Sequence, residues 1–141
     1  MASDELDKVE LPALEQLQSL GWSYVEGAKL SPDESDERSS LKDVVLEKRL
    51  TESLKRINPW INDENLHKVV RDLTKTLYPN LVEANQGIWT QINQCISVMQ
   101  DLGKGNKGQT VNIIDFENPE NNEFLCTNQF KVSGVNQNII P

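Results

Sequence analysis

The apolar residues of this chain change their spacing once, near Gln94, and that change constrains the fold more than any other feature. Up to Gln94 they recur at three- and four-residue intervals, the period of an amphipathic helix. Beyond it Ile96 and Val98 alternate with polar residues, Gly103 to Gly108 supplies a turn, and Val111 and Ile113 resume the alternation. Helices followed by antiparallel strands define an α/β (α+β) class in which the β part begins with a hairpin. At 141 residues the chain has the length of about one domain.

Within the helical half, Leu6, Val9, Ala13, Leu17 and Leu20 share one face of a first helix, for which Gly21 is the expected C-cap. Pro12 either opens that helix proper in its first turn or kinks a longer one, because proline has no amide to donate. Trp22 to Val25 reads as a short strand. From Ser31 to Ser40 the chain is Ser, Asp, Glu and Pro with almost nothing to bury, so a solvated acidic loop is expected. Ser40, with Asp43 three residues on, is the expected N-cap of a helix carrying Leu46, Leu50, Leu54 and Ile57, which Asn58-Pro59 terminates. Two further helical patterns follow: Leu66, Val69, Val70, Leu73 and Leu77 up to Tyr78-Pro79, and Leu81, Asn85, Ile88, Trp89 and Ile92. Past the hairpin, Glu123 to Val132 is a strand candidate, and Ile139-Ile140-Pro141 reads as the start of another.

Charge is unevenly placed. The net charge is −8, and all of the excess lies in Met1 to Glu37, where ten acids face two bases. The remainder is balanced, so net charge neither supports nor excludes a nucleic-acid partner. Cys95 and Cys126 have no spacing that suggests zinc or a disulfide framework, and reduced thiols fit best. No apolar run approaches the ~20 residues of a membrane span and the start lacks a signal peptide, so a cytoplasmic protein is expected.

Several motifs invite chemistry and are better read structurally. Gly103-Lys-Gly-Asn-Lys-Gly108 satisfies G-x-G-x-x-G, but a nucleotide loop needs a helix after it, and here an alternating pattern follows. The hairpin-turn reading leaves Lys104 and Lys107 as candidate non-specific contacts to a DNA backbone. His67, the one histidine, lies four residues after Asp63 and reads as a surface residue. Lys48, Arg49, Lys55 and Arg56 alternate with Glu47 and Glu52, the pattern of a solvated helix face. Trp22, Trp60 and Trp89 read as core or interface anchors, since no basic cluster surrounds them. Asp115, Glu117, Glu120 and Glu123 lie in one local stretch and read as turn and surface residues.

The segment Asn112-Ile-Ile-Asp-Phe-Glu-Asn-Pro-Glu-Asn-Asn-Glu-Phe-Leu-Cys-Thr-Asn-Gln-Phe130 resembles the amino-terminal region of the restriction subunit of type I restriction-modification enzymes. Leu46-Glu-Lys-Arg-Leu50 leading to Ile57-Asn-Pro59, Ala84-Asn85-Gln86 and Leu20-Gly-Trp22 resemble that family in the same order. The resemblance implies the front of a restriction-endonuclease-like domain of the PD-(D/E)xK kind, in which a Pro-Asp strand and a Glu-x-Lys strand hold magnesium beside the scissile phosphate. Pro141 matches the proline, so the family's catalytic Asp, Glu and Lys are expected to lie beyond this chain, which alone is then inactive. Glu10 is the candidate for a helix-borne accessory carboxylate, by its distance from Leu20-Gly-Trp22. For the intact subunit the resemblance implies double-stranded DNA as substrate, magnesium and ATP as cofactors, and methyltransferase and specificity subunits as partners. The alternative is a truncated interaction protein that docks on those subunits without catalysis.

Overall fold

The computed structural model describes residues 2–75, 79–134 and 139–140, so that Leu77, Tyr78 and Pro141 lie outside the described residues. Two compact units account for the chain: Glu47–Asn122, and Met1–Leu46 together with Glu123–Pro141.

The continuous unit follows the helical and alternating patterns closely. It consists of helices α3 (Glu47–Ile57), α4 (Asp63–Thr74) and α5 (Leu81–Gln94), and of strands β2 (Ile96–Asp101) and β3 (Asn106–Val111). Strands β2 and β3 pair antiparallel, from Ile96 opposite Val111 to Asp101 opposite Asn106. Asn62 and Asn80 cap α4 and α5 through side-chain oxygens that accept from the amides of Asn65 and Glu83. The core joins Leu54, Ile61, Leu66, Val69, Val70, Val98 and Val111, with Leu50, Trp60, Leu73, Ile96 and Ile113 packed around them. Gln100 occupies the inward position after Val98, where an apolar residue would be usual. Its amide donates to the Trp60 carbonyl at 2.7 Å and its oxygen accepts from the Asn62 amide at 3.0 Å, so burial leaves no polar group unmatched.

Helix α3 starts at Glu47 rather than at Ser40: Asp43 does reach back to the Ser40 amide, but the turn it closes is not continued as a helix. Its carboxylate accepts from the Ser39 amide and hydroxyl and from the Ser40 amide. These bonds, the Ser39 hydroxyl first, hold the Asp43 carboxyl below the usual carboxylate range. At its other end α3 stops at Ile57 as expected, and the Asn-Pro that follows has a structural purpose. Asn58 is 1% exposed; its amide donates to the carbonyls of Leu54 and Asn112, and its oxygen accepts from the Asn112 amide. Helix end and strand end are thereby tied through one side chain.

The Asn-rich stretch after β3 is a self-capped loop around a 3-10 turn at Pro119–Asn121. Asp115 accepts from the Glu117 and Asn118 amides and from the Asn121 side chain, while Asn122 accepts from the Asp115 amide and donates to its carbonyl. The Asn121 amide, with the Asn118 backbone, lowers the Asp115 carboxyl. Lys55 and Arg56 are exposed, as expected of a solvated face, and also donate to the carbonyls of Ile61 and Asn121.

The discontinuous unit departs further from the sequence pattern. Its front comprises helix α1 (Ala2–Glu5), a widened π-helical turn (Leu6–Glu10) and helix α2 (Leu11–Ser19). Pro12 lies in the first turn of α2, which resolves its role. The expected apolar face is not the buried one. Val9 and Leu20 are 62% and 71% exposed, whereas Leu14, outside the expected set, is buried; the π-turn ends at Glu10 and so shifts the register of Leu6 and Val9 against α2. Gly21, at φ +94°, ends α2 in a Schellman motif: its amide donates to the Gln18 carbonyl and that of Trp22 to the Leu17 carbonyl.

Strand β1 (Ser23–Tyr24) pairs parallel, not antiparallel, with β4 (Leu125–Cys126). The single strand anticipated over Glu123 to Val132 is broken: after β4, Gln129 takes φ +52° and pairing restarts in β5 (Val132–Ser133), antiparallel to β6 (Ile139–Ile140). The acidic stretch Ser31 to Ser40 is a loop, as anticipated, but it is not simply solvated. Arg38 within it is 4% exposed, donates to the carbonyls of Leu30, Asp43 and Lys131, and lies 4.1 Å from the centre of the Phe130 ring.

Candidate functional site

Glu10 is the last residue of the π-helical turn, and its carboxylate meets the segment that breaks the expected strand. The Asn128 side-chain amide donates to Glu10 Oε2 at 2.8 Å, and the Gln129 side-chain amide donates to Oε1. Tyr24 in β1 donates its hydroxyl to Asn128 Oδ1 at 2.7 Å. The polarity is forced, because an ionised carboxylate only accepts. Asn128 must turn its NH2 to Glu10 and its oxygen to Tyr24. Burial first, then the carboxylates of Glu26 and Glu10, push the Tyr24 phenol above its usual pKa, so that it remains a donor.

Backbone features assemble this cluster. Parallel pairing of β1 and β4 sets Tyr24 beside Cys126, two residues before Asn128. Gly27 lies so close to the next turn that a Cβ there would collide with the carbonyl oxygens of Asn128 and Gln129. Gln129 adopts the left-handed region, which for a non-glycine residue costs on the order of 1 kcal/mol and is concentrated at functional sites. No Lys or Arg among the described residues forms an ion pair with Glu10. The carboxylate is thus oriented by neutral donors.

Lys104 and Lys107 are not brought to this cluster. Both are exposed, Lys107 within β3 opposite Gln100 and Lys104 in the turn of the β2–β3 hairpin, where Gly103 and Gly105 take positive φ and Asp101 accepts from both of their amides. This is a hairpin turn rather than a phosphate cradle. His67 is exposed on α4. Trp89 is 67% exposed on α5 and is therefore not a core anchor, whereas Trp22 packs on Phe124 with ring centres 5.3 Å apart. Cys95 and Cys126 are free thiols. Among the described residues no group of three or more His, Cys, Asp or Glu could hold a metal ion, and no helix is long and apolar enough to cross a membrane.

Residue-level reading of the sequence missed Asn128, Gln129 and Tyr24. The signal was present: two amide side chains after Cys126 interrupt an otherwise alternating run. Their partner, however, lies more than a hundred residues away.

A match runs over residues 3–141 to the family described as the type I restriction enzyme R protein N terminus, and the chain belongs to that family. Its relatives include a putative type I restriction enzyme MjaIXP endonuclease subunit of Methanocaldococcus jannaschii, 34% identical over 92% of this chain, and the type I restriction enzyme HindI endonuclease subunit of Haemophilus influenzae, 31% identical over 88%. The putative MjaVIIIP endonuclease subunit of Methanocaldococcus jannaschii is 32% identical over 90% of this chain. The chain spans 12% of the length of the first two and 11% of the third. No solved structure matches it.

Proposed function

We propose that the chain is the front of the nuclease domain of a type I restriction subunit, a cytoplasmic enzyme that hydrolyses double-stranded DNA in a magnesium-dependent reaction coupled to ATP-driven translocation. The family match over residues 3–141 carries this reading. The endonuclease names of the relatives support it. Methyltransferase and specificity subunits are the partners this function requires.

Within that function Glu10 is the accessory carboxylate. Magnesium takes hard oxygen ligands, and a carboxylate steadied by neighbouring donors suits one ligand position. Among the described residues no group of three or more His, Cys, Asp or Glu forms around Glu10, so they supply that one position and no complete site. Bound magnesium would activate water and offset charge on the phosphate. What this chain supplies is one anionic oxygen donor in a fixed orientation. Lys104, on the hairpin turn, and Lys107, exposed at the start of β3, are suited to sequence-independent contact with the DNA backbone.

The test is plasmid cleavage by the intact subunit, assembled with its partners and supplied with magnesium and ATP. Glu10→Ala is expected to lower cleavage at least tenfold with ATP hydrolysis retained. Lys104→Ala with Lys107→Ala is expected to weaken DNA binding, most visibly at raised salt. The chain alone is expected to leave the plasmid intact; cleavage by it that persists after further purification would overturn the reading.

A second reading, a non-catalytic docking protein, is favoured by one observation. Helix α5 exposes Leu81 and Val82 near its start and Trp89 further along, at 82%, 77% and 67%. Stable co-purification of this chain alone with the methyltransferase and specificity subunits, lost on Trp89→Lys, would favour it.

A further inference from the structure

We infer that the outward stripe of α4, formed by Lys68, Arg71 and Lys75, is a track for the phosphate backbone of duplex DNA, continuous with Lys107 on the neighbouring hairpin. The inference rests on the DNA-cleaving reading given under Proposed function and assigns a contact surface for that substrate.

Leu66, Val69, Val70 and Leu73 turn one side of α4 to the core, and the helical period sets Lys68, Arg71 and Lys75 on the opposite side, where all three are exposed. Lys75 follows the last turn, yet its amide still bonds to the Arg71 carbonyl and keeps it in line. The acid flanking the stripe, Asp72, comes only within 4.0 Å of Lys68. Arg71 and Lys75 have no ion pair or side-chain hydrogen bond among the described residues. The cations of α3 differ: Lys55 and Arg56 donate to carbonyls, and Lys48 and Arg49 are engaged. Cations in a last helical turn offset the helix dipole, which accounts for Arg71 and Lys75, but Lys68 lies too far from that end to gain. Like charges three and four residues apart repel, so the stripe is favourable only against an anion. From Lys68 to Lys75 is roughly 10 Å along the helix axis, about three phosphates of one DNA strand. A protein partner would need apolar or aromatic anchors, and the large apolar side chains exposed on helices of this unit, Leu81, Val82 and Trp89, all belong to α5. The stripe also continues onto the hairpin. Lys107 stands opposite Gln100 on the same face, Gln100 accepts from the Asn65 side-chain amide at 3.1 Å, and Asn65 precedes Lys68 by one turn.

The probe is a short fluorescein-labelled DNA duplex of arbitrary sequence, titrated with the full chain and read by anisotropy from about 50 to 200 mM salt. Combined Lys68→Gln, Arg71→Gln and Lys75→Gln keeps good helix formers, and circular dichroism is expected to be unchanged. It is expected to weaken binding at least tenfold at the low-salt end and to make the salt slope shallower by about three, one for each cation removed. Lys68→Gln alone should change the slope by about one and serves where the triple variant loses helicity. Combined Lys8→Gln, Lys29→Gln and Lys42→Gln makes the same change of net charge on exposed residues elsewhere and is expected to leave the slope unaltered. An equal loss in that control would make net charge, not the stripe, responsible and overturn the inference. Polyglutamate that competes as well as unlabelled duplex would make the stripe a face for an acidic polypeptide and overturn it too. So would wild-type chain that shows no salt-dependent binding at the low-salt end, or α4 variants that bind like the wild type. None of these results touches the nuclease reading, which plasmid cleavage by the intact subunit decides separately.

Discussion

In Glu47–Asn122, buried apolar side chains from two helices and a hairpin meet in one cluster, whereas among the described residues of Met1–Leu46 with Glu123–Pro141 the buried apolar side chains are Leu14, Leu30 and Cys126, and polar side chains do much of the joining. Arg38 reaches three carbonyls, Asp43 gathers the amides of Ser39 and Ser40, and Glu10 takes the amides of Asn128 and Gln129. Burial is non-directional and tolerates changes of shape, while hydrogen-bonded joints are worth little in sum but costly to leave half made. The continuous unit should therefore respond to lost volume and the discontinuous unit to lost donors.

The largest effect that would test this contrast is Leu54→Ala. Leu54 is 1% exposed within the apolar cluster, and truncating such a residue costs roughly 2–5 kcal/mol through lost transfer energy and the cavity left behind. Urea denaturation should show that loss, and hydrogen exchange should localise it to residues 47–122. Equal acceleration of exchange throughout both units would break the contrast, since it would mean that they unfold together.

Next is Arg38→Met, which keeps length and apolar contact but strands the carbonyls of Leu30, Asp43 and Lys131. At about 1 kcal/mol or more for each acceptor left dry, a loss of roughly 3 kcal/mol is expected. Exchange should quicken around Leu30, Asp43 and Lys131 with little change in α4. A variant as stable as the wild type would show that the carbonyls find water, and that the discontinuous unit is held by its few apolar residues after all.

This contrast also explains what could be read from the sequence. Periodicity reports which face of a helix or strand is buried, and because apolar packing builds that unit it found α4, α5 and the hairpin, although α4 ends at Thr74, ahead of the expected stop at Tyr78-Pro79, and β3 begins at Asn106, inside the expected turn. It failed where a polar residue is the structural element. Arg38 was indistinguishable from a solvated charge, Asn58 from a helix-breaking dipeptide, and Asn128 with Gln129 from strand residues. Each of these makes a bond to a residue distant in sequence, Asn58 to Asn112 and Asn128 to Glu10 among them, and no local window contains both partners. The π-turn was hidden for a related reason: Leu6 and Val9 keep a helical spacing with Leu17 while the backbone slips out of register between them. The candidacy of Glu10 came from resemblance to a family, which carries long-range information that periodicity lacks.

Asn58→Asp sharpens the contrast from within the continuous unit. It preserves shape and one acceptor but removes the amide that donates to the carbonyls of Leu54 and Asn112, and it places a charge where the residue is 1% exposed. A loss of about 2 kcal/mol is expected, less than for Leu54→Ala, because volume is unchanged. A larger loss than that of Leu54→Ala would mean that this unit, too, depends chiefly on its polar joint.

The smallest effect is that of pH, and it engages both units. The Asp43 carboxyl is lowered by the Ser39 hydroxyl and neighbouring amides, and the Asp115 carboxyl by the Asn121 side chain and the Asn118 amide. A carboxyl whose folded pKa lies below its unfolded value stabilises the fold fully above the unfolded value, here 3.8, and that contribution fades as pH falls toward and through the depressed folded value. Melting temperature should thus be flat from pH 7 down to about 5 for these two groups and decline below 4. Asp43→Asn should flatten the acid limb for the discontinuous unit and Asp115→Asn for the continuous one, each lowering stability at pH 7 while narrowing the gap between pH 7 and pH 3. Both groups are accessible to solvent, so each contribution is modest and salt should reduce its electrostatic part. An acid limb unchanged in both variants would place the pH sensitivity in other carboxyls and would remove Asp43 from the polar joints that distinguish the discontinuous unit.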